Sequence, residues 1–290
     1  VFSPLSGKAT YSETENELTV KAKNHTFIFS KRDGQLKGVS VNNHKISFAN
    51  GPRFIGARRA DRSLDQFYNH DDEKAKEKDR TYSEFPDAAV FTKLEVKEDG
   101  GNLIVTANYK LGNLDKAQWT INPNGEAALD YTYNFSGVVD LIGISFDYPE
   151  DQVISKRWLG AGPYRVWQNR IHGTQYDVWE NDYNDPIPGE TFTYPEFKGY
   201  FDSVSWMNIR TKEGTISLTN ETPDSYIGVY QPRDGRDRLL YTLPESGISV
   251  LDVIPPVRNK VNSTDLCGPS SQPKWVNGPQ TGRIIFRFME

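Results

Sequence analysis

Cysteine is nearly missing from this chain: Cys267 stands alone among 290 residues. An internal disulfide is therefore excluded, as is a zinc site built from several thiolates. No apolar run approaches the length of a bilayer-spanning helix, so a membrane span is not expected. Neither sign of charge is in large excess. The formal net charge is −5 with acids and bases interleaved, which lacks the electrostatic footprint of a nucleic-acid binder. The signatures of several chemistries are also absent. There is no glycine-rich phosphate loop ending in Lys-Ser/Thr, no Gly-x-Ser-x-Gly elbow and no His-Glu-x-x-His pair.

Histidine is scarce, with four residues in the chain. His25 and His44 fall in predicted strands or turns and read as structural, and His70 lies at an acidic edge. His172 alone has chemically interesting neighbours, because it follows a Gly-Pro loop. Asp61, Asp65, Asp71 and Asp72 could offer oxygen ligands, but their spacing matches no cation loop. No cofactor and no metal is called for. The chain opens at Val1 rather than Met, without a visible leader, as a trimmed precursor or a fragment of a longer polypeptide would.

Aromatics, by contrast, are plentiful: 15 Tyr, 15 Phe and 6 Trp. Strands favour such residues. Leu18–Ala22 and His25–Phe29 alternate apolar and polar side chains, and Arg32-Asp-Gly34 follows as a turn. Phe91–Val96 and Leu103–Tyr109 flank Asp99-Gly-Gly101, and Gln118–Ile121 and Ala128–Tyr133 flank Asn122-Pro-Asn-Gly125. Glycine supplies the positive φ that such reversals need. Further strands are expected over Ser203–Arg210, Gly214–Thr219 and Gly282–Phe288, with loops over Tyr183–Pro195 and Pro255–Pro279. The charged run Asp71–Arg80 has no apolar face and reads as a solvated excursion of about one helical turn. The prediction is an all-β chain, residues 1–290 forming one antiparallel β-sandwich domain.

The densest cluster of unusual residues is Trp158-Leu-Gly-Ala-Gly-Pro-Tyr-Arg-Val-Trp-Gln-Asn-Arg170. Gly160, Gly162 and Pro163 shape a loop that can present flat aromatics and planar cations, groups suited to sugar rings and carboxylates. A little further on, Tyr176-Asp-Val-Trp-Glu-Asn-Asp-Tyr183 mixes acids with aromatics. Tyr164, Arg165, Trp167, Arg170, Trp179 and Glu180 are the candidate carbohydrate contacts. The other reading of the same residues is a buried corner with Trp158 and Trp167 in the core.

Four ordered stretches carry a family resemblance. Phe29-Ser-Lys-Arg-Asp-Gly-Gln-Leu36, Asn50-Gly-Pro-Arg-Phe54, Gly160-Ala-Gly-Pro163 with Asn169-Arg170, and Asp265-Leu-Cys-Gly-Pro269 together resemble the C-terminal small-chain domain of β-galactosidases of glycoside hydrolase family 2. The resemblance implies a galactose mutarotase-like supersandwich at the C-terminal end of a multidomain glycosidase. It also implies that the two catalytic glutamates sit on a separate (β/α)₈ barrel, so this chain carries no catalytic residue of its own. Its partners would then be that upstream catalytic domain and an oligosaccharide. A periplasmic or extracellular location would follow for a glycan-degrading bacterium.

Two departures stand out. The family's Arg-Ala-Pro-x-Asp-Asn-Asp run is replaced by Ile55-Gly-Ala-Arg-Arg-Ala-Asp61, which has no proline. The Trp that the family lends to its active-site mouth is missing from Lys212-Glu-Gly214, which points away from lactose-type specificity. Three functions remain open on the sequence: a carbohydrate-contacting accessory domain, a purely structural domain, and an aldose 1-epimerase using His172 with Glu180 or Glu196.

Overall fold

The structure, a computed structural model, describes residues 7–59, 82–182, 199–230, 246–257 and 268–290. Two antiparallel sheets face one another. The first runs β1 (Thr10–Glu13), β2 (Glu17–Ala22), β3 (His25–Ser30), β4 (Leu36–Val41), β6 (Ala49–Arg59), β12 (Leu141–Asp147), β18 (Ile248–Val253), β17 (Tyr226–Val229). Two short strands join it from the side, β5 (His44–Ile46) on β4 and β7 (Tyr82–Glu84) on β6. The second runs β14 (Gln175–Asp182), β13 (Val153–Gly162), β15 (Trp206–Thr211), β16 (Gly214–Asn220), β19 (Lys274–Met289), β11 (Ala127–Val139), β10 (Leu114–Ile121), β9 (Asn102–Lys110), β8 (Val90–Asp99).

The two-residue period of the sequence decides which side chains enter the core. In β2, Leu18, Val20 and Ala22 are buried while Glu17 and Lys21 are exposed; β9 repeats the pattern with Leu103, Val105 and Ala107. Three expected turns form where glycine marked them, with positive φ at Gly34, at Gly100 and Gly101, and at Gly125. Two expectations need correction. The strand expected from Ser203 begins at Trp206. The loop expected through Pro279 becomes strand at Lys274, because β19 pairs with β11 in unbroken register from Lys274↔Val139 to Phe286↔Ala127. The charged run 71–80 lies outside the described residues.

Between the sheets the core is aromatic. Phe48 and Phe146 stack with centroids 4.6 Å apart, and Phe48 meets Phe286 at 5.1 Å and Phe288 at 5.4 Å. Trp119 touches Phe146 and Phe286, both at 6.0 Å, and Phe29 at 6.1 Å. Phe29, Phe48 and Phe146 come from the first layer, and Trp119, Phe286 and Phe288 from the second. Each such pair adds about 0.5–1.5 kcal/mol beyond the area it buries.

A polar clasp closes one margin of the sandwich. The turn between β15 and β16 carries Glu213, whose Oε1 accepts the Ser47 hydroxyl at 2.7 Å. Its Oε2 accepts the Ser47 amide at 2.9 Å and the Tyr148 hydroxyl at 2.9 Å. Burial pushes this carboxyl up, but hydrogen bonds from the Ser47 hydroxyl and amide and from Tyr148 outweigh it. The carboxyl is therefore held below the ordinary glutamate value of 4.5. A depressed carboxyl stabilises the fold above its unfolded value and loses that contribution as pH falls through the folded one. Glu213→Gln is expected to cost about 1 kcal/mol or less at neutral pH, since the group is partly solvated, and nothing in strong acid. Urea midpoints of the two proteins across that pH range should converge at the acid end; a constant gap would show that the charge is not what matters.

Candidate functional site

The segment richest in sugar-type chemistry leaves the second sheet at the end of β13. The Gly162–Pro163 bond is cis, and the chain then packs on the outer face of the first sheet before returning as β14. That outer face is apolar: Ile55 of β6, Leu141 of β12 and Leu251 of β18 point away from the main core. They would be wet without a cover. Trp167 provides it, 1% exposed and edge-on to Tyr200 at 5.7 Å. β12 is consequently buried along both faces from Leu141 to Phe146, which accounts for its nearly unbroken apolar sequence.

Hydrogen bonds lock this cover. The Asn169 side chain mimics a strand neighbour, its Nδ2 donating to the Val257 carbonyl at 2.7 Å and its Oδ1 accepting the Val257 amide at 2.9 Å. Gln168 Nε2 donates to the carbonyls of Ser270 at 2.7 Å and Gln272 at 2.8 Å. The Gly160–Arg170 motif thus meets the segment that follows Gly268-Pro269, two stretches about a hundred positions apart in sequence. Alongside, the Trp158 indole donates to the Ala161 carbonyl at 3.1 Å and stands edge-on to Phe201 at 4.8 Å. Arg165, 5% exposed, places its guanidinium 5.6 Å from the centre of that same Phe201 ring.

Arg165 and Trp167 are therefore interior residues, which corrects the expectation that both present faces to a ligand. The buried-corner reading describes them, because the outer face of the first sheet needs an apolar cover. The other candidates lie nearer the surface. Tyr164 is half-buried, and its hydroxyl sits where a side chain at Gly173 (φ +96°) would begin, 2.5 Å from that position. Trp179 is half-buried, its ring across Gly162 and its indole donating to the Gln175 carbonyl at 3.1 Å. Arg170 and Glu180 are exposed, with Glu180 opposite Arg157 in the ladder. His172 is exposed as well, and Glu196 lies outside the described residues.

β14 also exposes residues that the candidate set omitted. Tyr176 is 58% exposed and Val178 41%. Val178 and Trp206 are both register partners of Leu159, so the three form one apolar stripe on the outer face of the second sheet, with Tyr176 opposite Ala161 beside it. The signal was present in Tyr176-Asp-Val-Trp-Glu-Asn-Asp: a period of two puts Tyr176, Val178 and Glu180 on one side and Trp179 on the other.

A second polar cluster lies between the sheets. Ile142 pairs with Val253 and Gly143 with Leu251, which leaves Asp252 as the extra residue of a β-bulge. It accepts a short hydrogen bond from the Tyr133 hydroxyl of β11. Burial pushes the Asp252 carboxyl up against the lowering effect of that bond. Burial, then the Asp252 charge, pushes the Tyr133 phenol up as well, and Tyr131 beside it follows for the same reasons.

Comparison with known proteins settles the family. The model for the Beta galactosidase small chain matches residues 21–249. The chain belongs to the Beta galactosidase small chain family. No curated protein matches it. Among solved structures, galactose 1-epimerase from Lactobacillus acidophilus NCFM superposes with a TM-score of 0.51 at 10% identity, covering 98% of this chain and 99% of the epimerase. A galactose mutarotase-like protein from Lactobacillus casei ATCC 334 gives 0.42 at 11% identity, over 97% and 99% of the two chains. The GalM/aldose epimerase homologue from C. elegans gives 0.43 at 10% identity, over 97% and 99%. At such identities the epimerase likeness establishes a galactose mutarotase-like fold and leaves activity open.

The Asp252 bulge generates a pH prediction. A carboxyl raised in the fold keeps its proton there while the unfolded chain has lost it, so stability falls as pH climbs from the ordinary value of 3.8 through the raised one. Asp252→Asn keeps an acceptor for Tyr133 and removes the titration. Its unfolding midpoint is expected to exceed the wild type's at neutral pH and to match it in strong acid, as chemical denaturation at several pH values would read out.

Proposed function

We propose that this chain is the non-catalytic C-terminal domain of a family 2 glycoside hydrolase, a carbohydrate-associated sandwich that packs against a catalytic barrel on the same polypeptide. The observation that carries this reading is the stripe of Val178, Leu159 and Trp206, flanked by exposed Tyr176, at the β14 side of the second sheet. Contiguous apolar surface suits a docking face, and Tyr176 and Val178 are its exposed part, Leu159 and Trp206 being half-buried. Membership of the small-chain family supports the glycosidase context.

The epimerase alternative has less behind it. Ring opening needs a general acid and a general base held across one sugar. His172 and Glu180, the available candidates, are exposed side chains with no shared hydrogen bond among the described residues.

Two measurements test the proposal. The isolated chain should leave both aryl glycosides and the mutarotation of freshly dissolved galactose at their blank rates. Val178→Asp should leave the isolated chain's melting nearly unchanged, because Val178 is exposed on the edge strand β14. In the complete polypeptide the same change should speed proteolysis at the domain junction and lower glycosidase activity several-fold. Turnover by the isolated chain, or a complete polypeptide indifferent to Val178→Asp, would refute the reading.

A further inference from the structure

A cavity of about 460 Å³ opens where the β3–β4 turn, the middle of β6 and the segment leading into β8 converge. That volume lies in the range of small-ligand sites. Its walls are fixed in place by close approaches that only glycine allows. A side chain at Gly34 (φ +74°) would begin 2.7 Å from both the Phe91 ring and Ala107, and one at Gly112 (φ +65°) 2.1 Å from the Ala89 amide nitrogen. The Tyr109 hydroxyl donates to the Asp33 carbonyl at 2.9 Å, and the Phe91 and Tyr109 rings meet edge to face at 6.0 Å.

The polar lining is equally constrained. Asp87 accepts the amides of Ala89 at 3.2 Å and Phe54 at 3.4 Å, which fixes its carboxylate on the cavity wall. Asp33 is paired with Lys37 at 2.8 Å, and Arg53 with Asp147. Among the described residues the Arg32 side chain makes one long contact, Nη2 to Asn16 Oδ1 at 3.4 Å, which leaves guanidinium donors to spare there. Burial, followed by the charges of Asp33 and Asp87, pushes the Tyr109 phenol up, so it remains a protonated donor.

Setting the two paired groups aside, the lining offers one guanidinium and the two carboxylates of Glu84 and Asp87, beside flat apolar walls. A phosphate or a uronate would meet more negative than positive charge. A sugar hydroxyl both donates and accepts, and the apolar face of a pyranose ring packs on aromatics. We propose that this cavity binds one neutral sugar unit, with Arg32 and Asp87 as its hydrogen-bonding pair and Phe91 with Tyr109 as its apolar wall. The choice of a sugar rests on the carbohydrate-associated reading above; the docking stripe on β14 is independent of it.

Methyl-resolved NMR on the 290-residue chain tests this. Methyl β-D-galactopyranoside, methyl β-D-glucopyranoside, methyl β-D-xylopyranoside and, as the charged comparator, D-galacturonic acid would each be titrated to millimolar concentrations. At least one neutral glycoside should shift the Ala89 and Leu114 methyls, which line the cavity, in a saturable way. Arg32→Ala and Asp87→Asn should each weaken that binding at least tenfold, with the rest of the methyl spectrum unchanged as proof of folding. Three outcomes overturn the site: no response to any neutral glycoside, shifts confined to the Val178 methyl on β14, or tighter binding of galacturonic acid. None of these touches the docking proposal, which stands or falls on Val178→Asp.

Discussion

The aromatic interlock of Phe48, Phe146, Trp119, Phe286 and Phe288 is the contact on which the remaining architecture rests. Sheets of this size twist, and two twisted layers stay in register only if large side chains from both sides fill the space between them. Glycine makes the fit possible in the first sheet. A side chain at Gly51 would begin 2.3 Å from the Phe146 ring, so the Asn50-Gly-Pro-Arg-Phe54 motif is in part a recess for an aromatic. The Glu213 clasp then ties the second sheet's β15–β16 turn to the chain that enters β6.

With the layers fixed, the outer faces become available for different uses. The first sheet's outer face is closed by Trp167 and its hydrogen-bonded loop. The second sheet's outer face is largely polar but carries the Val178–Leu159–Trp206 stripe near its β14 margin. The candidate sugar cavity lies apart from both, on the flank formed by the β3–β4 turn and the segment before β8. The cover and the proposed docking and ligand-binding surfaces are thus separate on one scaffold, and a substitution on one need not disturb the others.

Much of this was readable in the residues. Alternation in Leu18–Ala22 and Leu103–Tyr109, and glycine at 34, 101 and 125, report strictly local physics, and the strands and turns formed there. Trp167 had two readings, ligand contact and buried corner, and local sequence could not choose between them: burial depends on what a loop lands on, and nothing within Gly160–Arg170 reveals that Ile55, Leu141 and Leu251 wait beneath it. The cavity was invisible for a related reason. Arg32, Asp87 and Tyr109 are far apart in sequence and individually ordinary, and tertiary contacts such as those at Gly34 and Gly112 and the Tyr109–Asp33 hydrogen bond bring them together. Pro279 misled in the opposite sense: a local breaker was overridden by the long ladder with β11.

The β14 margin has one more consequence. Among the described residues this strand ends its sheet, so a row of backbone groups lies open to pairing. Suppose a duplicate molecule aligned head-to-tail there, centred between Val178 and Trp179. Asp177 of each would then confront Glu180 of the other, and like charges directly opposite are destabilising. In that register the border strand disfavours its own copy, while a neighbour bearing lysine or arginine at those places would be favoured.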